Sequence, residues 1–321
     1  MKKHVIVSIL CIALSALALI WGLTPVVNTR TQVTGGTVAL LLDTDIGAGA
    51  LQMKQGAKQA AKELKVDLIT ATADYSGDAA NSQADLMMQL LERDVRALIL
   101  VPVQGADLTI PMKEAKRRKV PVLTLGESPI TGGSDCTISA NHQEAGALAA
   151  KALIERMGKP NHVLLITGDD SDVAASLRKT GAMPVLSAEP DLQIVEQTPL
   201  EGKTADDVLH LLASNPQING ILVLTGSGTE TCALAMGRSG TDIPLVGMDC
   251  GQNRNLYLES GQVDAMVLGM PFAMGYLGVQ FSIKALSGKS IPGWYYTESR
   301  VIDKENMYLP ENQKLAFPLL Q

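Results

Sequence analysis

From Val38 onward, short continuous apolar runs alternate with longer stretches whose apolar residues recur every three or four positions. Val38–Leu42, Val66–Thr70, Ala97–Val101, Val120–Leu125 and Thr137–Ala140 have the unbroken hydrophobicity of parallel strands buried on both faces. Between them, Ala50–Leu64, Ala80–Glu92 and Ala106–Arg118 have the spacing of amphipathic helices. A second series follows, with helices predicted at Gln143–Met157, Asp172–Leu186, Ala205–Ser214, Thr229–Gly237, Asn253–Ser260 and Pro271–Leu286. Its strands are predicted at His162–Thr167, Gln193–Glu196, Gly220–Thr225, Leu245–Met248 and Asp264–Leu268. Strands alternating with helices of this length imply βαβ units, hence an α/β protein with two similar doubly wound parallel-sheet lobes.

The chain has 321 residues, room for about two domains, and its 46% hydrophobic content provides enough apolar surface to bury two cores. Net charge is −6 with Lys and Arg scattered along the sequence, which argues against a nucleic-acid partner. Residues 1–27 form a targeting segment: Lys2 and Lys3 precede an uncharged run, Val5–Leu23, closed by Pro25. The run is longer than a usual signal core and close to the ~20 residues that span a bilayer. A signal peptide or an uncleaved membrane anchor both fit, and the length favours the anchor. Either places the body of the protein outside the cytoplasm, on the periplasmic or outer side of the membrane. Asn28–Gly36 reads as a linker.

In open parallel sheets, ligands bind beyond the carboxyl ends of the strands. The loops there contain Asp43 and Asp45 after the first strand, Glu127 after the fourth, and Asn141 beside the passage between lobes. The second series contributes Asp169, Arg178, Ser227 and Asp249. These eight residues are the candidate ligand-binding set, a carboxylate-rich rim with one guanidinium. Asp172 reads as a plain helix cap. GSGTET lacks the third glycine and the distant acid of a dinucleotide loop, and GDDSD lacks the glycine and terminal glutamate of a calcium loop. No nucleophile elbow and no nucleophile–base pattern around the four histidines is present, so neither enzyme chemistry, cofactor nor metal is expected. Cys136, Cys232 and Cys250 read as buried thiols, with a Cys232–Cys250 bridge left open by the spacing.

Several stretches together resemble the type I periplasmic binding proteins of the ribose/galactose-type sugar-binding group. They are QMKQGAKQAAKEL, ADLMMQLLERDVRALILVPVQGADL, RRKVPVLTLGE, ISANHQEAGALAAKAL, TDIPLVGMD and ESGQVDAMVLGMPFAMGYLGVQ. The resemblance implies two lobes joined by a three-crossing hinge that closes on a solute for an ABC importer or a membrane sensor such as a histidine kinase. It implies crossings near Ala140, Gly269–Met270 and Thr297–Val301. The N-terminal lobe would then be 37–140 plus about 270–298, and the C-terminal lobe 141–269 plus about 299–321. It also places Arg178 where relatives have a sugar-contacting arginine, and Asp249 after GM. The departures are Gly47–Ala50 in place of an Asn and a Phe pair, Gly126 and Glu127 in place of Asp-Arg, Gly226 and Ser227 in place of Asn-Asp, and Gly269 in place of Gln. With only 3% aromatic residues, the stacking platform of sugar sites is missing. The expected ligand is therefore small and polar, sugar or sugar-like, and the lost bulk is expected to enlarge the cleft.

Overall fold

The computed structural model describes residues 36–317 apart from 45–46, 74–78, 128–129, 131, 160–161, 170–171, 198–199, 201 and 250–252. The first lobe is built from β1 (Thr37–Leu42), α1 (Ala48–Leu64), β2 (Asp67–Thr72), α2 (Ala79–Glu92), β3 (Ala97–Leu100), α3 (Thr109–Arg117), β4 (Val122–Leu125) and β5 (Cys136–Ala140). The chain then enters the second lobe with α4 (His142–Met157), β6 (His162–Ile166), α5 (Val173–Ser187), β7 (Gln193–Gln197) and α6 (Ala205–Ser214). This lobe continues with β8 (Gly220–Val223), α7 (Gly226–Ser239), β9 (Leu245–Met248), α8 (Arg254–Glu259) and β10 (Ala265–Leu268). Helix α9 (Pro271–Leu286) and strand β11 (Trp294–Thr297) return to the first sheet, and β12 (Arg300–Asp303) and α10 (Pro310–Ala316) complete the second.

Strand order is β2-β1-β3-β4-β5-β11 in one sheet and β7-β6-β8-β9-β10-β12 in the other. All described pairings are parallel except that of β10 with β12. The unbroken apolar runs work as a parallel sheet requires, each strand feeding two cores. Val38, Leu40 and Leu42 pack with α1 and α9, whereas Ala39 and Leu41 pack with α2 and α3. In the second sheet Val163 and Leu165 face α4 and α5, while Leu164 and Ile166 face α6, α7 and α8. Cys136 and Cys232 are buried, which pushes their thiols up to about 11 and about 12, so both are inert; Cys250 lies outside the described residues.

Three elements of the tail, β11, β12 and α10, lie beyond the regular part read from the sequence. β11 is an edge strand with three exposed aromatics, so it carries no apolar run, and β12 and α10 are short. Helix α7 begins at Gly226, three residues before its expected start, because the Thr225 hydroxyl caps it by accepting from Gly228 N–H at 3.2 Å. Helix α3 starts later than expected, at Thr109.

The lobes share one packing device. Where α1 crosses α9, a Cβ on Gly56 would lie 1.9 Å from the Phe272 carbonyl oxygen, and one on Gly275 would lie 1.9 Å from that of Met53. Where α4 crosses α5, Gly146 and Gly181 stand in the same relation to the carbonyl oxygens of Arg178 and Gln143, at 1.9 and 1.8 Å. Backbone thus lies on backbone, and no larger residue fits. Gly146→Ala should lower the melting temperature by roughly 5 °C or more, from overpacking of about 1–3 kcal/mol. Gly49→Ala, whose Cβ would meet only Pro271 at 4.0 Å, should leave it unchanged or raise it; calorimetry of the two variants checks the contrast.

Candidate functional site

The site is assembled where the carboxyl ends of both sheets meet the hinge. Asp172 caps α5 by accepting from Ala175 N–H at 2.8 Å, and its own N–H is held by the Asp169 carboxylate at 3.0 Å. These turns, with the Gly146 contact on its own carbonyl, fix Arg178 one and a half turns into α5. The Arg178 side chain is buried: Nη1 donates to the Leu224 carbonyl at 2.9 Å and Nη2 to Asp249 Oδ2 at 3.0 Å. Its buried Nε finds no acceptor among the described protein atoms. Asp249 is largely exposed, and its Oδ1 accepts from Gly269 N–H at 3.1 Å, tying the end of β9 to the second hinge crossing.

From the other lobe, Glu127 reaches across the hinge. Its Oε2 pairs with His142 Nε2 at 2.9 Å and accepts from Ser139 Oγ at 3.4 Å. Burial pushes the Glu127 carboxyl up, but the hydrogen bond and charge of His142, its own backbone N–H and the charge of Arg178 outweigh it, so the group sits below the usual glutamate range. Arg178 of the second lobe therefore acts electrostatically on a carboxylate of the first. His142 Nδ1 is buried and also without a partner among the described atoms.

Of the eight residues expected at the site, contacts join Arg178 to Asp249, while Glu127 pairs with His142 and feels the charge of Arg178. Asp43 is partly buried at the end of β1, where its Oδ1 accepts from Thr44 N–H at 2.8 Å; burial pushes its carboxyl up despite that bond. Asn141 caps α4, accepting from Glu144 N–H at 3.2 Å and donating to the Glu144 carboxylate at 3.1 Å. Asp169 holds the turn before α5, and Ser227 is exposed in the first turn of α7 rather than in a loop. Asp45 lies outside the described residues. Sequence reasoning missed His142 as a partner of Glu127; its place directly after the Asn141 cap was the available signal. The small residues expected to widen the cleft partly do otherwise: Ala48 and Ala50 are buried and Gly49 faces Pro271, so the start of α1 packs toward α9. Among the described residues no group of three His, Cys, Asp or Glu side chains could hold a metal ion.

Two parallel-sheet lobes joined by three crossings, with charged groups of both at the seam, define a hinged binding protein. Comparison with known proteins agrees: residues 38–290 match the periplasmic binding protein domain, and the chain belongs to that family. It is similar to the D-apiose import binding protein of Actinobacillus succinogenes, 28% identical over 254 residues, covering 75% of this chain and 79% of the relative. It is also similar to the D-allose-binding periplasmic protein of Escherichia coli, 23% identical over 298 residues, covering 84% and 96%. Among solved structures, an ABC transporter periplasmic solute-binding protein from Actinobacillus succinogenes with bound D-allose superposes with a TM-score of 0.74 at 23% identity, covering 84% of this chain and 98% of that one. These relatives are binding proteins, and the family location is extracytoplasmic. No helix among the described residues is long and apolar enough to cross a membrane.

Two stability tests follow from the carboxylates. The raised Asp43 group is ionised at a cost in the folded state, a cost present at neutral pH and relieved as pH falls toward its ordinary value of 3.8. Asp43→Asn should thus raise the melting temperature at pH 7 and lose that advantage in acid. The lowered Glu127 group contributes stability above its ordinary value of 4.5 that is lost as pH falls through its folded value. The melting-temperature gap between the wild type and Glu127→Gln should be full at neutral pH and close in acid.

Proposed function

We propose that this chain captures a monosaccharide or similar polyol between its lobes and delivers it to an ABC importer, without acting on it chemically. The observation that supports this most is the Arg178 guanidinium, buried, held on two sides by Leu224 and Asp249, and keeping Nε in reserve. A sugar hydroxyl both donates and accepts, so it can accept from Arg178 while donating to Asp249 or, from the other lobe, Glu127. Closure on such a ligand satisfies charged groups of both lobes at once, which makes the closed state depend on the ligand. Asp43, Asn141, Asp169 and Ser227 are proposed as further contacts at the rim. Relatives bearing the names of D-apiose-, D-allose- and xylitol-binding proteins support a hydroxyl-rich ligand. The scarcity of aromatics favours holding it by polar contacts over stacking.

The segment 1–27 is proposed as an uncleaved anchor holding the protein at the membrane surface; mass spectrometry of the mature N-terminus checks this. The same anchor would serve a tethered sensory component that signals to a histidine kinase, and neighbouring genes discriminate between permease and kinase. Thermal-shift screening against pentoses, hexoses and polyols should find at least one that raises the melting temperature. Arg178→Met should weaken that ligand by about 30-fold or more, the loss of ~2 kcal/mol or more for a buried charged donor, and Arg178→Lys should not restore it. Stabilisation by amino acids or polyamines alone would overturn the ligand class.

A further inference from the structure

The cations scattered along the sequence are not scattered on the fold. In a parallel sheet the helix ends and the strand starts share one end, and in the first lobe that end, opposite the hinge, collects Lys65, Arg96, Lys116, Lys119, Lys284 and Lys289, with Glu63, Asp67, Glu92 and Asp94 among them but outnumbered. A cavity of about 570 Å³ opens there, lined by Arg96, Lys116 and Lys119 together with Pro121 and Leu286. Asp135 is the carboxylate in that lining, and it is engaged by Val122 N–H at 2.8 Å. Arg117 and Arg118, on the same turn, are paired with Glu114. The matching end of the second lobe is acidic on balance, where Glu189, Asp191, Asp242, Glu259, Asp264 and Glu305 outnumber Arg156, Lys159, Arg238 and Lys304.

Two further features lie at the basic end. The chain leaves the described lobe there: Thr37 begins β1, its carbonyl accepts from Arg96 N–H at 2.8 Å, and Gly36 abuts the Arg96 stem. The segment beyond it contains the apolar run Val5–Leu23. Strand β11 starts at the same end, since it runs parallel to β5 with Trp294 opposite Thr137. Its Trp294 and Tyr296 are 47% and 56% exposed and lie against one another on one side of the strand, their rings tilted with centroids 5.8 Å apart, while Tyr295 turns to Phe281 on the other. Large exposed aromatics beside cations suit a membrane–water interface, where the ring enters the headgroup layer and the cations meet phosphate.

We propose that this basic end of the first lobe is a docking surface for the anionic bilayer in which the N-terminal segment sits, with Trp294 entering the interface and the Arg96–Lys116–Lys119 cavity receiving lipid phosphate. The inference rests on the reading of residues 1–27 as an anchor. Anchor and face act together, because a tether that enters at this end holds this end near the surface and makes weak cationic contacts effective. The second lobe, acidic at its matching end, is repelled from the same surface and stays free to swing about the hinge.

The chain has two tryptophans, Trp21 and Trp294, so full-length Trp21→Phe carries Trp294 as its single reporter. This protein is reconstituted in vesicles of brominated phosphatidylcholine, alone or mixed with phosphatidylglycerol. Flotation with the neutral vesicles tests the anchor alone, and loss of flotation there removes the reading on which the inference rests. Among floating samples, Trp294 emission should be quenched on the mixed vesicles and recover in molar salt. Adding Lys116→Gln and Lys119→Asn, both exposed and the second chosen for its φ of 59°, should weaken the quenched state by about 25-fold, about fivefold for each cation near an anionic surface. Flotation with Trp294 equally bright on neutral and anionic vesicles, or quenching indifferent to salt and to the two substitutions, would overturn the docking surface while leaving the anchor standing.

Discussion

Each lobe depends on a helix pair in which backbone lies directly on backbone. Gly56 and Gly275 bring α1 onto α9, and Gly146 and Gly181 bring α4 onto α5. The consequence is positional. Helices α4 and α9 follow the first two hinge crossings, so each of those two crossings is clamped to a helix of the lobe it enters. The α4–α5 contact bears on the carbonyl of Arg178 itself, which makes the placement of the guanidinium a property of the lobe's packing and not of a loop. A site built this way is rigid within the lobe, and its adjustable degree of freedom is the hinge.

The charges at the seam make that degree of freedom ligand-sensitive. Glu127 is held by His142 across the first crossing and feels Arg178, while Asp249 binds both Arg178 and the backbone of the second crossing. The buried Nε donor of Arg178 and the buried Nδ1 of His142 have no partner among the described residues, and leaving such groups unmet costs about 1–3 kcal/mol each. On the proposed function, a hydroxyl-bearing ligand relieves these costs, most of all when both lobes contribute. The Asp43 carboxyl, pushed up by burial, is likewise ionised at some expense to the protein at neutral pH, the cost expected of a group that the proposed function places at the rim.

Much of this was legible in the sequence. Strands such as Val38–Leu42 and Gly220–Val223 are buried on both faces, so their apolar runs are unbroken and their helices carry a clear stripe. Arg178 and Asp249 could be picked out from their places beyond the strand ends, and the family resemblance then singled out both. The tail was not legible, because β11 is an edge strand whose exposed aromatics have no two-sided apolar run. The Glu127–His142 pair was hinted at only by the place of His142 after the Asn141 cap, since the fold alone brings a loop after β4 to the start of α4. The basic end of the first lobe escaped notice for the same reason: turns far apart in sequence, after α1, α2, α3 and α9, meet only when the sheet forms.

The central claim is that a small hydroxyl-rich ligand draws the two lobes together. Small-angle X-ray scattering of the protein, without ligand and then saturated with the most stabilising sugar or polyol, tests it directly. The account predicts a smaller radius of gyration in the saturated sample, and no contraction when Arg178 is replaced by Met at the same ligand concentration. A ligand that binds tightly while the scattering curve of the wild type stays unchanged would contradict it.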